Sequence, residues 1–81
     1  MDNENMVVFD VNLESEKLIC DTLKEVYTNL SERGYNPTSQ IVGYILSGDL
    51  GYISSYKSSR KKISKLDRST LVEVLLKNIL K

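Results

Sequence analysis

Gly34-Tyr35-Asn36-Pro37-Thr38-Ser39-Gln40-Ile41-Val42-Gly43-Tyr44-Ile45-Leu46-Ser47-Gly48-Asp49 is a helix with both ends written into its sequence. Asn36 is a good N-cap, and Pro37 suits the first helical turn, where no backbone N–H is needed. Gly48 follows the last apolar residue, where a left-handed C-terminal cap is cheapest. Ile41, Tyr44, Ile45 and Gly48 recur at helical spacing, so one stripe faces inward. Gly43 and Ser47, four apart, leave a shallow strip open to the approach of another backbone. None of these residues is a plausible catalyst, and the motif reads as architectural.

The flanks extend the helical pattern. On the N-terminal side, Ile19, Leu23, Val26 and Leu30 repeat at steps of four, three and four. They describe an amphipathic helix with Asn12 as N-cap, Glu14 and Glu16 in its first turn, an end near Arg33 and Gly34 as its stop. On the C-terminal side, Asp49 caps a short or 3₁₀ turn containing Tyr52 and Ile53, weakened by Gly51. Residues 56–65 are strongly basic and read as a surface helix anchored by Tyr56 and Ile63. Asp67 caps a last helix with a broad apolar face of Leu71, Val72, Leu75, Leu76, Ile79 and Leu80. The face is wider than a chain of 81 residues needs for its own core. It is a candidate dimer surface, and a central buried helix explains it equally well. The expected fold is all-α, a compact bundle of about four helices plus a short helical turn.

Before the first helix, residues 6–11 (Met-Val-Val-Phe-Asp-Val) have the content of a strand, but the chain offers no second strand to pair with. The division that follows is an extended arm at 1–12 and a single helical domain at 13–81. A chain this short is marginal on its own core. With one cysteine, Cys20, and no histidine, neither an internal disulfide nor a good zinc site can make up the deficit. Homodimerisation is therefore expected, and no cofactor or metal is. An acidic, polar N-terminus and the absence of any apolar run near 20 residues point to a cytoplasmic protein with no membrane contact.

The zero net charge hides a split. Residues 1–34 carry eight acidic and three basic side chains, and residues 35–81 carry three and eight. Such a dipole favours intramolecular packing of one half on the other, or a charged docking face. Chemistry is hard to place on this chain. The usual general base is missing, the glycines form no phosphate loop, and Cys20 lies on the apolar side of its helix, where a structural thiol is expected. The chain reads as a non-enzyme.

The block Gly34-Tyr35-Asn36-Pro37, Gln40-Ile41-Val42-Gly43-Tyr44, Ser47-Gly48-Asp49 and Tyr52-Ile53 resembles the signature of the IreB/ReoM family of small Gram-positive regulatory proteins. The similarity runs from about residue 6 to residue 77. It implies an all-helical homodimer that is not an enzyme. It also implies a link between a membrane Ser/Thr kinase with PASTA repeats and cell-wall precursor synthesis, in which the regulator helps deliver MurA to the Clp protease. Family members are rich in arginine from the short turn into the last helix. Arg60 and Arg68 match two of those arginines, while Ser55 and Ser64 stand where two others are expected. Lys61, Lys62 and Lys65 keep the charge but lack arginine's fork geometry. The resemblance thus makes Arg60, Lys61, Lys65 and Arg68 the partner-binding candidates.

Three departures from the family pattern stand out. The arm threonine that the family phosphorylates corresponds to Met6, and no Ser or Thr precedes Ser15, a weak substitute in a first helical turn. Leu50 and Ser54 replace prolines. Gly51 replaces an alanine, and with them should loosen the turn at Tyr52. Two other classes of function remain open to the residues themselves. One is a nucleic-acid-binding domain using a basic helix over 56–68, which the acidic N-terminal half opposes. The other is a dimerisation module with no regulatory output.

Overall fold

The computed structural model describes residues 13–80. The expected arm, its proposed strand at 6–11, Met6 and the Asn12 cap lie outside that range. Four α-helices run in order: α1 (Leu13–Glu32), α2 (Pro37–Ser47), α3 (Ser59–Ser64) and α4 (Arg68–Leu80). Two 3₁₀ turns, Leu50–Tyr52 and Tyr56–Ser58, join α2 to α3. The fold is all-α, and no strand occurs among the described residues.

Each helix ends where its capping chemistry dictates. After α1, Gly34 takes φ 80°, a left-handed conformation that glycine adopts without a Cβ clash. Its N–H donates to Ser31 O at 3.0 Å, and the Tyr35 N–H donates to Leu30 O at 3.0 Å. This paired arrangement satisfies carbonyls that the helix end would otherwise leave open. At the start of α2, Asn36 Oδ1 accepts the Ser39 N–H at 3.1 Å with Pro37 beside it, and at its end Gly48 (φ 74°) donates to Tyr44 O at 2.7 Å. Asp67 Oδ2 caps α4 by accepting both the N–H (3.0 Å) and the hydroxyl (2.9 Å) of Thr70.

α1 is the central element, touching α2, α3 and α4. Its inward stripe divides the core in two. Val26 and Leu30 pack with Tyr44 of α2, Ile53 and Ile63 of α3, with Ile41, Leu50 and Leu66 around them. Ile19 packs with Leu71 and Val74 of α4, with Cys20, Ile45 and Val72 around them. Leu23 and Leu66 join the two clusters. One polar chain crosses the interior: Asn29 Nδ2 donates to Ser59 Oγ (2.9 Å), whose hydroxyl donates to Tyr56 O (2.8 Å). Both Asn29 and Ser59 are buried, so each bond keeps a polar group from being stranded away from water.

Several expectations need correction. The basic stretch 56–65 is not one helix, because Lys57 (φ 51°) and Ser58 (φ 60°) adopt left-handed backbone between the 3₁₀ turn and α3. Non-glycine residues are strained there. The surroundings hold them: the Ser58 N–H donates to Ser55 O at 3.0 Å, Lys57 pairs with Glu32 at 3.2 Å, and buried Ser59 is fixed through Asn29. The strip at Gly43 is filled by a side chain rather than a backbone. A Cβ built on Gly43 would lie 2.5 Å from the Tyr52 ring. The turn at Tyr52 is also well tied despite its missing prolines. Asp49 Oδ1 accepts the Gly51 N–H (2.8 Å), and Gln40 Nε2 donates to Tyr52 O (3.0 Å).

Among the dimer candidates, Leu71 is buried inside its own chain because it faces Ile19 of α1, and so leaves that surface. Val72 is half-buried against the same cluster, while Leu75, Leu76, Ile79 and Leu80 remain exposed.

Candidate functional site

The split in charge becomes contact between elements. Glu16 of α1 accepts from Lys77 (3.3 Å) and Asn78 (3.1 Å) of α4, Glu25 pairs with Lys62 of α3, and Glu32 pairs with Lys57. The acidic face of α1 is thus laid against the basic C-terminal half. Asp21 and Glu25, one helical turn apart, each have a cationic partner, Asp21 with Lys17 at 2.9 Å and Glu25 with Lys62. The Glu32 carboxyl is held below its usual range, first by the hydrogen bond from Lys57 and then by the Tyr56 side chain. The Lys57 ammonium is correspondingly raised, chiefly by its hydrogen bond to Glu32. Arg33 and Lys57 each stand 5.2 Å from the Tyr56 ring centroid, within cation–π range.

These pairings sort the basic residues of 56–68. Lys57 and Lys62 are engaged by α1. Arg60 and Arg68 are exposed but not free, because both turn inward to main-chain carbonyls. Arg60 Nε donates to Leu50 O (3.0 Å) and Ile53 O (2.8 Å), and Arg68 Nη1 donates to Ile45 O (2.9 Å). The Arg68 guanidinium lies so close over Gly48 that a Cβ there would meet it at 2.8 Å. Gly48 therefore serves twice, for its left-handed backbone and for the room it leaves Arg68. Lys61 and Lys65 are exposed and form no ion pair among the described residues.

The four candidates consequently divide in role. Arg60 and Arg68 are exposed residues that fasten α3 and the start of α4 to the end of α2 and its following turn. Lys61 on α3 and Lys65 just past its end, four apart, add two positive charges to one side. What this surface offers is cation density on a clipped frame, suited to carboxylates of a partner. Sequence reasoning singled out the four residues by their charge and missed the inward bonds of the two arginines. No local pattern announces them, since the acceptors are ordinary carbonyls 7 to 23 residues away. Ser15, the weak substitute acceptor, lies exposed in the first turn of α1.

The signature residues Gly34, Tyr35, Asn36, Pro37, Gln40, Gly43, Tyr44, Ser47, Gly48, Asp49 and Tyr52 are all accounted for by this frame. Tyr44 is core, Ser47 Oγ donates to Gly43 O (2.7 Å) and accepts the Asp49 N–H (3.0 Å), and the rest are caps, clips or contact points, apart from Tyr35, whose N–H closes α1. Among the described residues, no helix is long and apolar enough to cross a membrane. Compared with known families, the sequence matches the IreB family model, described as IreB regulatory phosphoprotein, over residues 4–81. With that match spanning nearly all of its length, the chain belongs to the IreB family.

Proposed function

We propose that this protein is a non-enzymatic regulator that acts by protein–protein contact, coupling a PASTA Ser/Thr kinase to Clp-dependent turnover of MurA, as a homodimer in the cytoplasm. The observation that carries the reading is the family match along residues 4–81, to proteins described as regulatory. The surface of Arg60, Lys61, Lys65 and Arg68 is consistent with docking. Its two arginines are already held by carbonyls, so less side-chain freedom is lost when a carboxylate arrives. The exposed side of α4, with Leu75, Leu76 and Ile79, is the face we assign to the second copy.

The kinase input is where this chain departs from its relatives, since Met6 offers no hydroxyl at the family's arm position. Control then rests on abundance, on competition between partners, or on another site such as Ser15. The nucleic-acid reading loses its main support, because the basic helix it needed is broken at Lys57 and Ser58 and two of its lysines are paired.

The test uses purified MurA and Clp components with the full chain. Capture by the wild type, lost on Lys61→Glu with Lys65→Glu at unchanged helicity, supports the reading. Failure to bind either component, together with duplex DNA binding that weakens steeply as salt rises, overturns it.

A further inference from the structure

Ser64 closes α3 among the cations of the basic surface. Arg60 and Lys61 lie four and three positions before it, on the same side of the helix, and Lys65 follows it directly. Ser64 is exposed, and its hydroxyl donates to Lys61 O at 2.8 Å, which holds Oγ over the turn that carries Lys61. Lys61 and Lys65 form no ion pair among the described residues, so their charges are uncommitted there. The hydroxyls nearest to Ser64 in sequence are placed differently. Ser59 is buried and bonded to Asn29, and Ser58 sits in the strained turn whose Lys57 already pairs with Glu32. Ser69 and Thr70 both bond the Asp67 carboxylate, which repels a second anion.

We propose that Ser64 is a phosphorylation site, and that its phosphate closes the docking surface by occupying the cations that a partner's carboxylates would use. The inference rests on the docking role proposed for Arg60, Lys61, Lys65 and Arg68. In the transfer, Ser64 Oγ forms a bond to the γ-phosphorus of ATP while the bond from that phosphorus to the β–γ bridging oxygen breaks. ADP leaves, and the hydroxyl proton passes to the catalytic base of a Ser/Thr kinase. Charge beside the acceptor is one of the patterns by which kinases choose substrates, and here it is supplied by Arg60, Lys61 and Lys65. The acceptor also ends a helix of six residues, whose last turn opens at small cost to enter an active site.

Charge decides what the phosphate does once attached. It adds about −1.5 to −2 near neutral pH, together with three strong acceptor oxygens. The C-terminal end of a helix opposes it with only about half a negative charge. Against that stand the two ammonium groups of Lys61 and Lys65, which have no ion pair to give up among the described residues. The phosphate is therefore drawn onto the lysines, and an acidic partner meets an anion where it had met cations. Arg60 and Arg68 keep their bonds to carbonyls, so the frame of the surface stays in place.

The test has three readouts on the full chain. Incubation with MgATP and the catalytic domain of a PASTA-type kinase, followed by fragment mass analysis, should place one phosphate at Ser64 that is missing from Ser64→Ala. A chain left unmodified at Ser64 overturns the proposal. The other two readouts use protein with phosphoserine built in at position 64 during translation. Phosphorus NMR follows its second ionisation, which lies near pH ~6 for a free phosphoserine. Among the cations the midpoint should fall by about half a unit or more and return on Lys61→Gln with Lys65→Gln. An unshifted midpoint shows the phosphate standing clear of the lysines and defeats the proposal. Capture of purified MurA or Clp components should weaken on the order of tenfold relative to the unmodified chain, and capture unchanged by the phosphate also overturns it. Should the unmodified chain capture neither component, the docking reading fails by itself, while the mapped phosphate and its midpoint still decide whether Ser64 is the site.

Discussion

Replacing Gly43 by alanine sets two effects of opposite sign against each other. Alanine is the better helix former in the interior of α2, by ~1 kcal/mol. Its methyl, however, would sit 2.5 Å from Cδ1 and Cε1 of Tyr52, a distance no relaxed structure keeps. The ring must move. Tyr52 is 40% exposed, so swinging it off α2 uncovers on the order of 100 Å² of the area an aromatic side chain buries. At ~25 cal/mol/Å² that loss is about 2.5 kcal/mol. The net expectation is a destabilisation of about 1–2 kcal/mol, or about 5–10 °C in Tm for a domain of this size. The sign should reverse once the ring is gone: in a Tyr52→Ala background, Gly43→Ala should stabilise by ~1 kcal/mol. Urea titration of the four proteins closes the double-mutant cycle, with a coupling of about 2.5 kcal/mol between positions 43 and 52. If Gly43→Ala stabilises the otherwise wild-type protein, or destabilises both backgrounds equally, the ring is not what requires glycine there.

Further outcomes follow from the caps, the clips and the ion pairs. Asn36→Ala should cost ~1 kcal/mol by removing the acceptor for the Ser39 N–H, while Asn36→Asp should be nearly neutral, and thermal melts rank the two. Arg60→Glu should lower stability by ~1 kcal/mol because the bonds to Leu50 O and Ile53 O are lost, whereas Lys61→Glu should leave the melt unchanged; equal melts for the two would contradict the inward role of Arg60. The Asp67 carboxyl is held below 3.8, first by the backbone N–H of Thr70 and then by its hydroxyl. Its contribution is therefore present above 3.8 and lost as pH falls through the lower folded value, so Asp67→Asn should flatten that part of an acid stability profile. Incubation with a PASTA-type kinase should leave the segment before Ser15 unphosphorylated by intact-mass and fragment analysis; stoichiometric phosphate at Ser15 would show that the switch has moved rather than been lost.

How much of this structure the sequence makes legible depends on how local its causes are. Asn36, Gly48, Gly34 and Asp67 could be read directly, because a cap bonds within a few residues of itself and its chemistry is confined to those residues. The inward stripe of α1 was legible for the same reason, since helical periodicity is local. The left-handed pair Lys57 and Ser58 was not. Neither residue type favours that conformation, and what holds it comes from α1 through Glu32 and Asn29, 25 and 30 residues away from their partners. A run of basic residues with helix-forming lysines read as one helix because no local signal opposed it.

The candidate site repeats the lesson. Charge segregation along the chain left open whether one half packs on the other or forms a docking face; ion pairs do join the halves, yet composition cannot say which lysine meets which glutamate. That pairing engages Lys57 and Lys62 with α1 and leaves the exposed Lys61 and Lys65 without an ion pair among the described residues. Arg60 and Arg68 carry the point furthest. As sequence they are docking cations, and as structure they are also clips on the carbonyls of Leu50, Ile53 and Ile45. A partner that engages either arginine thereby acts on the joint between α2 and α3. Binding at this surface and stability of the turn around Tyr52 are consequently linked, and a ligand that holds either arginine in place should raise the melting temperature through the same contacts.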